Sequence, residues 1–418
     1  MNPPFKRDYL QHALALGRWL RDRQASGAID PLNQVASVSV GAKQRRLHPR
    51  FVVEHRDGRV SQTRELAENV GGFVGWLPYI EKTWQIADDR IAFKEFAEHV
   101  GLATPRWVLD PADTRGNFVV KARWADSGLA LRGPFAPASP IALADGEYCE
   151  EFVVGQLLKA IYWNKLLVVV ELAGMPAVHG DGERTLRQLV AARLTTTDRW
   201  PKGVERLAAI QGLTLDSVVA AEREVVVDHR HLSPLNIARG VDHDVRWQIR
   251  GSALESQLLE AGARCWKAIP IDRRDETMFA LDAVVDTHGR VWFLGMDCNP
   301  QLHPGCYAPM LDAMFFGPAR AIDAGERPRP GTPRLVALPN VSTVAFARST
   351  HRINALAQLQ PAPDMVVEMP KLGDASVRSI GRRAHDPHAA RAAGRETAAQ
   401  VVRVERQERV AADLVADA

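Results

Sequence analysis

Two aspartates stand inside an apolar stretch, ALDAVVDTHGRVWFLGMDCNP (280–300). The pattern predicts a hairpin turning at His288-Gly289, a position that favours a residue tolerant of positive φ. Thr287 then faces Arg290, and Asp282 faces Gly295. Directly opposed residues share a face, and side chains alternate with period two. Asp282, Gly295 and Asp297 therefore share one face, and Asn299 joins them if the strand continues. Two carboxylates so placed repel and resist burial unless a cation lies between them. Hard oxygen ligands point to Mg²⁺, which takes one or two carboxylates together with phosphate oxygens. In the plainer reading one Asp caps a turn and the other pairs with Arg273 or Arg274. Both readings stand at this point.

The elements that position these residues are legible in outline. Residues 8–25 carry apolar positions at helical spacing, VASVSVG (35–41) reads as a strand, and RFVVEHRDGRV (50–60) reads as a hairpin turning at Asp57-Gly58. Together they predict a small N-terminal α/β domain over residues 1–85. DDRIAFKEFAEHVGLATP (88–105) reads as a helix capped by Asp88 or Asp89. Its apolar stripe is Phe93, Phe96, Ala97 and Val100; Gly101 stops it, and Pro105 forbids its return. RWVLD, NFVVKARW and REVVVDH read as strands, and residues 148–174 hold several more. Helices are predicted over 185–195 and 252–268. GERPRPGTP (325–333) is a linker by composition. Beyond it lies a 334–418 extension with two β-like runs and a helical tail.

Composition narrows the function class. The 418 residues carry 53 Lys and Arg against 50 Asp and Glu, a formal net charge of +3. That is too small to argue for nucleic acid or an anionic membrane as the partner. No apolar run approaches a bilayer span, and the N-terminus reads as lacking a secretory signal. Cys149, Cys265, Cys298 and Cys306 form no CxxC pair, so a reducing cytoplasm is expected.

Several segments, taken in order, resemble the ATP-grasp superfamily over residues 86–315. NFVVKARWADSGLAL resembles the strand whose lysine, here Lys121, meets the phosphates, followed by a covering loop around Ser127 and Gly128. Alone, Lys121 reads as a strand lysine reaching solvent. Arg90 falls on the family's phosphate-contacting lysine. CEEFVVG resembles the hinge that bonds adenine through backbone groups, at Glu150, Phe152 and Val153. HGDGERTLRQLV (179–190), then QGLTLDSVVAAEREVVV and LNIARG, is similar to the ATP-grasp part of cyanophycin synthetase. Glutathione-synthetase-like carboxylate–amine ligases are the wider company. Gly180, Asp181 and Gly182 read as a structural turn. Asn236, Arg239 and Gly240 match a segment near nucleotide and metal, and are also common loop chemistry. His229, Arg230 and His231 offer cations to an acidic substrate or form a solvated loop.

The 280–300 hairpin is similar to the family's metal-binding element, with Asp282 on its first acid and Pro300 on its proline. Two positions depart: Gly295 stands where the bridging glutamate belongs, and Leu157 where an acid meets the ribose. One register makes Asp282 and Asp297 the Mg²⁺ ligands; the other makes them Asp297 and Asn299.

The resemblance implies an α/β (α+β) ATP-grasp fold with nucleotide between two α+β subdomains, 86–155 and 156–324. It implies ATP and Mg²⁺ as cofactors, and a carboxylate activated as an acyl phosphate and taken by an amine. Lys121, Arg230 and Arg239 would serve the reaction. The partners expected are a small-molecule or peptide carboxylate and an amine, with homo-oligomerisation left open. A catalytically degenerate nucleotide-binding or scaffold protein is the alternative, on the evidence of Gly295 and Leu157.

Overall fold

The computed structural model describes residues 3–54, 60–66, 70–124, 131–194, 200–201, 203–229 and 244–317. The expected linker and the 334–418 extension lie outside them.

The chain opens with helix α1 (Pro3–Asp22), then strands β1 (Ser26–Ile29), β2 (Ala36–Val40), β3 (Lys43–Glu54), β4 (Val60–Thr63) and β5 (Val70–Leu77). The β3–β4 pair is the hairpin expected at 50–60, and β1 and β5 went unread. All ladders of this five-stranded sheet are antiparallel.

Short helix α2 (Gln85–Asp88) leads into α3 (Arg90–His99). Asp89 caps α3, accepting from the backbone N–H of Ile91 at 3.0 Å and of Ala92 at 3.2 Å. Gly101 ends it at φ +71°, as its place after the last turn predicts. Next come β6 (Trp107–Val108), β7 (Phe118–Ala122), β8 (Arg132–Phe135) and β9 (Glu147–Glu151), in the antiparallel order β6-β9-β7-β8.

Strands β10 (Gln156–Trp163) and β11 (Leu166–Gly174) begin the central sheet. A subsidiary unit follows: β12 (Ala177–His179), α4 (Leu186–Ala191), α5 (Val204–Ile210) and β13 (Glu224–Val226). The GDG segment is its tight turn. The Asp181 carboxylate accepts from the N–H groups of Glu183 and Arg184 at 3.0 and 2.8 Å, and Gly182 takes φ +81°. Helices α6 (Ala253–Ala268) and α7 (Ile271–Arg274) precede the hairpin β14 (Met278–Val285) and β15 (Val291–Asp297), and α8 (Tyr307–Phe316) closes the described chain. The central sheet runs β11-β10-β14-β15, all antiparallel. The fold is therefore α+β.

The two faces of the central sheet differ. One carries Leu158, Ala160, Tyr162, Leu281 and Ala283 against α3 and α6. The other is covered at one end by α1, the N-terminal sheet and α8, packed on Ile161, Trp163, Met278 and Ala280. At its other end lies a small apolar cluster of Leu157, Met175 and Val284 with Phe152, Val153, Val226 and Leu294. Between these apolar ends the face turns polar.

Candidate functional site

Asp282 pairs with Gly295, as the hairpin pattern predicts, but the route differs. The turn is three residues, Thr287 to Gly289, closed between Asp286 and Arg290. The Asp286 carboxylate accepts from the N–H groups of His288 and Arg290 and from the Trp292 indole, at 2.8, 3.0 and 2.8 Å. Gly289 takes φ +77°. A bulge at Leu294 then absorbs one residue, so Ala283 faces Phe293 while Asp282 faces Gly295. The two irregularities cancel, and Asp297 falls opposite Ala280, on the Asp282 face.

A lysine stands beside the carboxylates, on the Asp282 side. Lys159 lies opposite Asp282 on β10, with its Nζ 3.2 Å from Oδ1. Glu171 on β11 extends the row on Lys159's other side. Arg273 and Arg274, the partners weighed from sequence, bond backbone oxygens of Thr83 and Ile269 instead. Burial pushes the Asp297 carboxyl above the ordinary carboxylate range; Lys159 opposes that rise and Asp282 adds to it. Asp297 accepts from the Asn299 N–H at 2.8 Å. The Asn299 amide N–H donates to the Lys82 carbonyl at 3.0 Å, while its Oδ1 is buried without a hydrogen-bond partner. From the N-terminal sheet, Gln62 donates to the Asn299 carbonyl at 3.0 Å, and the buried Arg50 favours charge on Asp297.

This donor set fits a hard divalent cation. It offers two carboxylates and an orphaned amide oxygen, and a Cβ built on Gly295 would meet nothing within 4 Å. Among the described residues no three His, Cys, Asp or Glu side chains form a ready cage, so phosphate oxygens would have to complete the shell.

The second cluster is cationic. Lys121 on β7 and Glu150 on β9 form an ion pair. The other Glu150 oxygen lies 2.7 Å from the Nζ of Lys94, a fully buried lysine on α3. Lys94 also donates to the Thr104 hydroxyl at 2.6 Å and to the Phe293 carbonyl of β15 at 3.3 Å. Burial lowers the Lys94 ammonium to about 8 against the pull of Glu150. Burial also works to raise Glu150, but Lys121 and Lys94 outweigh it and hold the carboxyl below its ordinary range. The buried Tyr148 hydroxyl, on the residue opposite Lys121, has no hydrogen-bond partner.

Arg90 opens α3 and donates to the Ala122 carbonyl at 2.8 Å, at the end of β7. Phe152 and Val153 lie in the link between β9 and β10, on the apolar shelf with Leu157. The Phe152 N–H donates to the Asn117 carbonyl at 2.7 Å, and its ring meets His229 at 5.3 Å. Ser127, Gly128, Arg230 and Arg239 lie outside the described residues, as do His231, Asn236 and Gly240. All four cysteines are free and buried. Sequence reading missed Lys94, Lys159 and Arg50. Lys159 is a cation in an otherwise apolar stretch, QLLKAIYW, and that signal finds it; Lys94 and Arg50 stand among other charged residues and carry no such signal.

No protein-family model matches the chain, and no curated protein does. Among solved structures it is similar to a bifunctional glutathione synthetase from Pasteurella multocida, at 15% identity and TM-score 0.34, over 69% of this chain and 40% of that one. It is similar to a D-alanine–D-alanine ligase from Bacillus anthracis, at 13% identity and TM-score 0.29, over 57% of this chain and 65% of that one. A D-alanine–D-alanine ligase from Helicobacter pylori gives 13% and 0.30, over 77% and 94%. The chain thus spans less than two thirds of the first two. At these TM-scores the likeness assigns no chemistry, which rests on the chain's own side chains.

Proposed function

We propose that the protein is an ATP-grasp carboxylate–amine ligase dependent on ATP and Mg²⁺. The observation that carries this is the end of the β14–β15 hairpin. Asp282 and Asp297 share one sheet face there beside open space over Gly295, and the Asn299 oxygen two residues on lacks a partner. The neighbouring shelf of Leu157, Val284, Phe152 and Val153 suits a purine, so one sheet face grades from apolar to anionic. Lys121 and Arg90 supply cations for phosphate oxygens.

In this mechanism a substrate carboxylate oxygen attacks the γ-phosphorus of ATP. The bond from that phosphorus to the β–γ bridging oxygen breaks, and ADP leaves. An amine then attacks the acyl carbon; phosphate departs and the amine proton passes to water. Lys121 and Arg90 hold and neutralise the phosphates, so the chain contributes positioning and charge rather than a covalent nucleophile. Asp282, Asp297 and Asn299 would hold Mg²⁺, which when bound screens the triphosphate charge. The alternative is a nucleotide-binding module without turnover, and Lys159 favours it by already neutralising Asp282.

Incubation with ATP, Mg²⁺ and pools of amino acids, with ADP release measured, separates the two. Amino-acid-dependent ADP release supports the ligase; ATP binding without release supports the module. A cytoplasmic location belongs to this proposal; among the described residues no helix is long and apolar enough to cross a membrane.

A further inference from the structure

Glu150 is buried, has two carboxylate oxygens, and has one lysine on each. The three groups carry one surplus positive charge. Lys94 cannot present it to a ligand: its side chain is 0% exposed and committed to Glu150, Thr104 and Phe293. Lys121 is the one member with access, at 14% exposure. Without Lys94, Glu150 would be balanced by Lys121 alone, and the pair would be neutral. A neutral buried pair attracts no anion and holds its lysine by a charge-assisted bond.

We propose that Lys94 is a positioning residue that neutralises Glu150, so that Lys121 presents a net positive charge to the phosphates of a bound nucleotide. This rests on the reading of Lys121 as a phosphate ligand. Lys94 draws its place from three elements at once: its own helix α3, strand β9 through Glu150, and strand β15 through the Phe293 carbonyl. The groups that face it are Glu150 from β9, Lys121 from β7 and Glu98 from its own helix. The Thr104 hydroxyl and the Phe293 carbonyl complete its surroundings.

The test is MgATP affinity by calorimetry for the full chain, Lys121→Met, Lys94→Met and Lys94→Met/Glu150→Leu. Lys94→Met is expected to weaken MgATP about tenfold, the scale of one charge-assisted contact. The double variant removes the buried charge pair together and leaves Lys121 unheld. It should bind within about threefold of wild type, since Lys121 keeps its positive charge once Glu150 is removed with Lys94. The buried pair is replaced at little cost to the fold, and the adenine contact expected at Glu150 is a backbone one that the substitution retains. Affinity of the wild type should also fall as pH rises past about 8, where Lys94 loses its proton, and the double variant should lose that dependence.

A Lys94→Met protein that binds like wild type, while Lys121→Met does not, overturns the inference and leaves the phosphate site standing. Absence of MgATP binding by wild type, or an unaffected Lys121→Met, overturns both. Should Lys94→Met fail to fold, the wild-type profile decides: affinity flat through pH 8 overturns the proposal.

Discussion

The molecule holds two charge sandwiches of opposite sign. In one, two lysines enclose a glutamate: Lys94, Glu150 and Lys121. In the other, two carboxylates flank a lysine across the central sheet: Glu171, Lys159 and Asp282, with Asp297 diagonal to Asp282 on the outer strand. The first is closed in charge: each Glu150 oxygen has a lysine Nζ in ion-pair range, although Oε2 accepts no well-aligned hydrogen bond. The second is open, with the Asp282 side chain 36% exposed and the Asn299 oxygen unpartnered. Electrostatics record the contrast. Glu150 is held below its ordinary range, whereas Asp297 is driven above its own. A closed sandwich can lend one surplus charge without rearranging. An open one is short of positive charge and gains most from a cation that arrives with its ligand.

The largest way to break the comparison is to remove the exposed end of the cationic group. Lys121→Ala should lose about 1.5–3 kcal/mol of MgATP binding, read by calorimetry. Unchanged affinity would remove Lys121 from the site.

Next, Asp297→Asn should have opposite effects with and without ligand. The free protein should gain on the order of 1 kcal/mol in thermal or denaturant unfolding, because a carboxyl with a raised pKa opposes burial of its charge. The sign follows from linkage. The unfolded carboxyl loses its proton near 3.8 and the folded one at higher pH, so stability falls as pH rises through that interval. The variant should flatten that fall while demanding more Mg²⁺ for ADP release. Equal Mg²⁺ demand in both proteins would make Asp297 structural.

The cationic group supplies a slope of opposite sign, at higher pH. Lys94 loses its proton near 8 when folded and near 10.5 when unfolded, so the unfolded chain binds more protons between these values. Stability should rise with pH across that window, by at most about 1.4 kcal/mol per pH unit. Lys94→Met should lose that slope in urea titrations. The smallest effect expected is from Gly295→Glu placed on Asp297→Asn. Space over Gly295 admits the side chain, and a roughly threefold recovery in Mg²⁺ affinity would show that Asp297 compensates for the missing carboxylate.

Local rules made much of this legible. Asp89 and Gly101 bound α3 as cap and stop, and the alternation around residue 282 placed Asp282 opposite Gly295. The turn holds one residue more than the pattern predicts, and the register survives because the Leu294 bulge restores it. Long-range pairing was not legible. Lys159 meets Asp282 through the β10–β14 ladder, whose strands lie far apart in the chain. Lys94 sits beside the apolar stripe of α3, one residue after Phe93 and three before Ala97, where a lysine reads as solvent-facing. Its burial depends on an acid from a different element, which no helical period encodes.

Strand β15 is the outer strand of the central sheet, yet its middle is not free to recruit another chain. The Phe293 N–H is taken by the Ala103 carbonyl at 2.8 Å, and the Phe293 carbonyl by Lys94 at 3.3 Å. An exposed edge invites strand addition and aggregation, and a charged lysine is a common guard against it. Loss of Lys94 would leave the Phe293 carbonyl without its side-chain partner, while the Ala103 carbonyl still holds the Phe293 N–H and burial still covers the edge. Light scattering on storage of Lys94→Met would record whether that cover suffices.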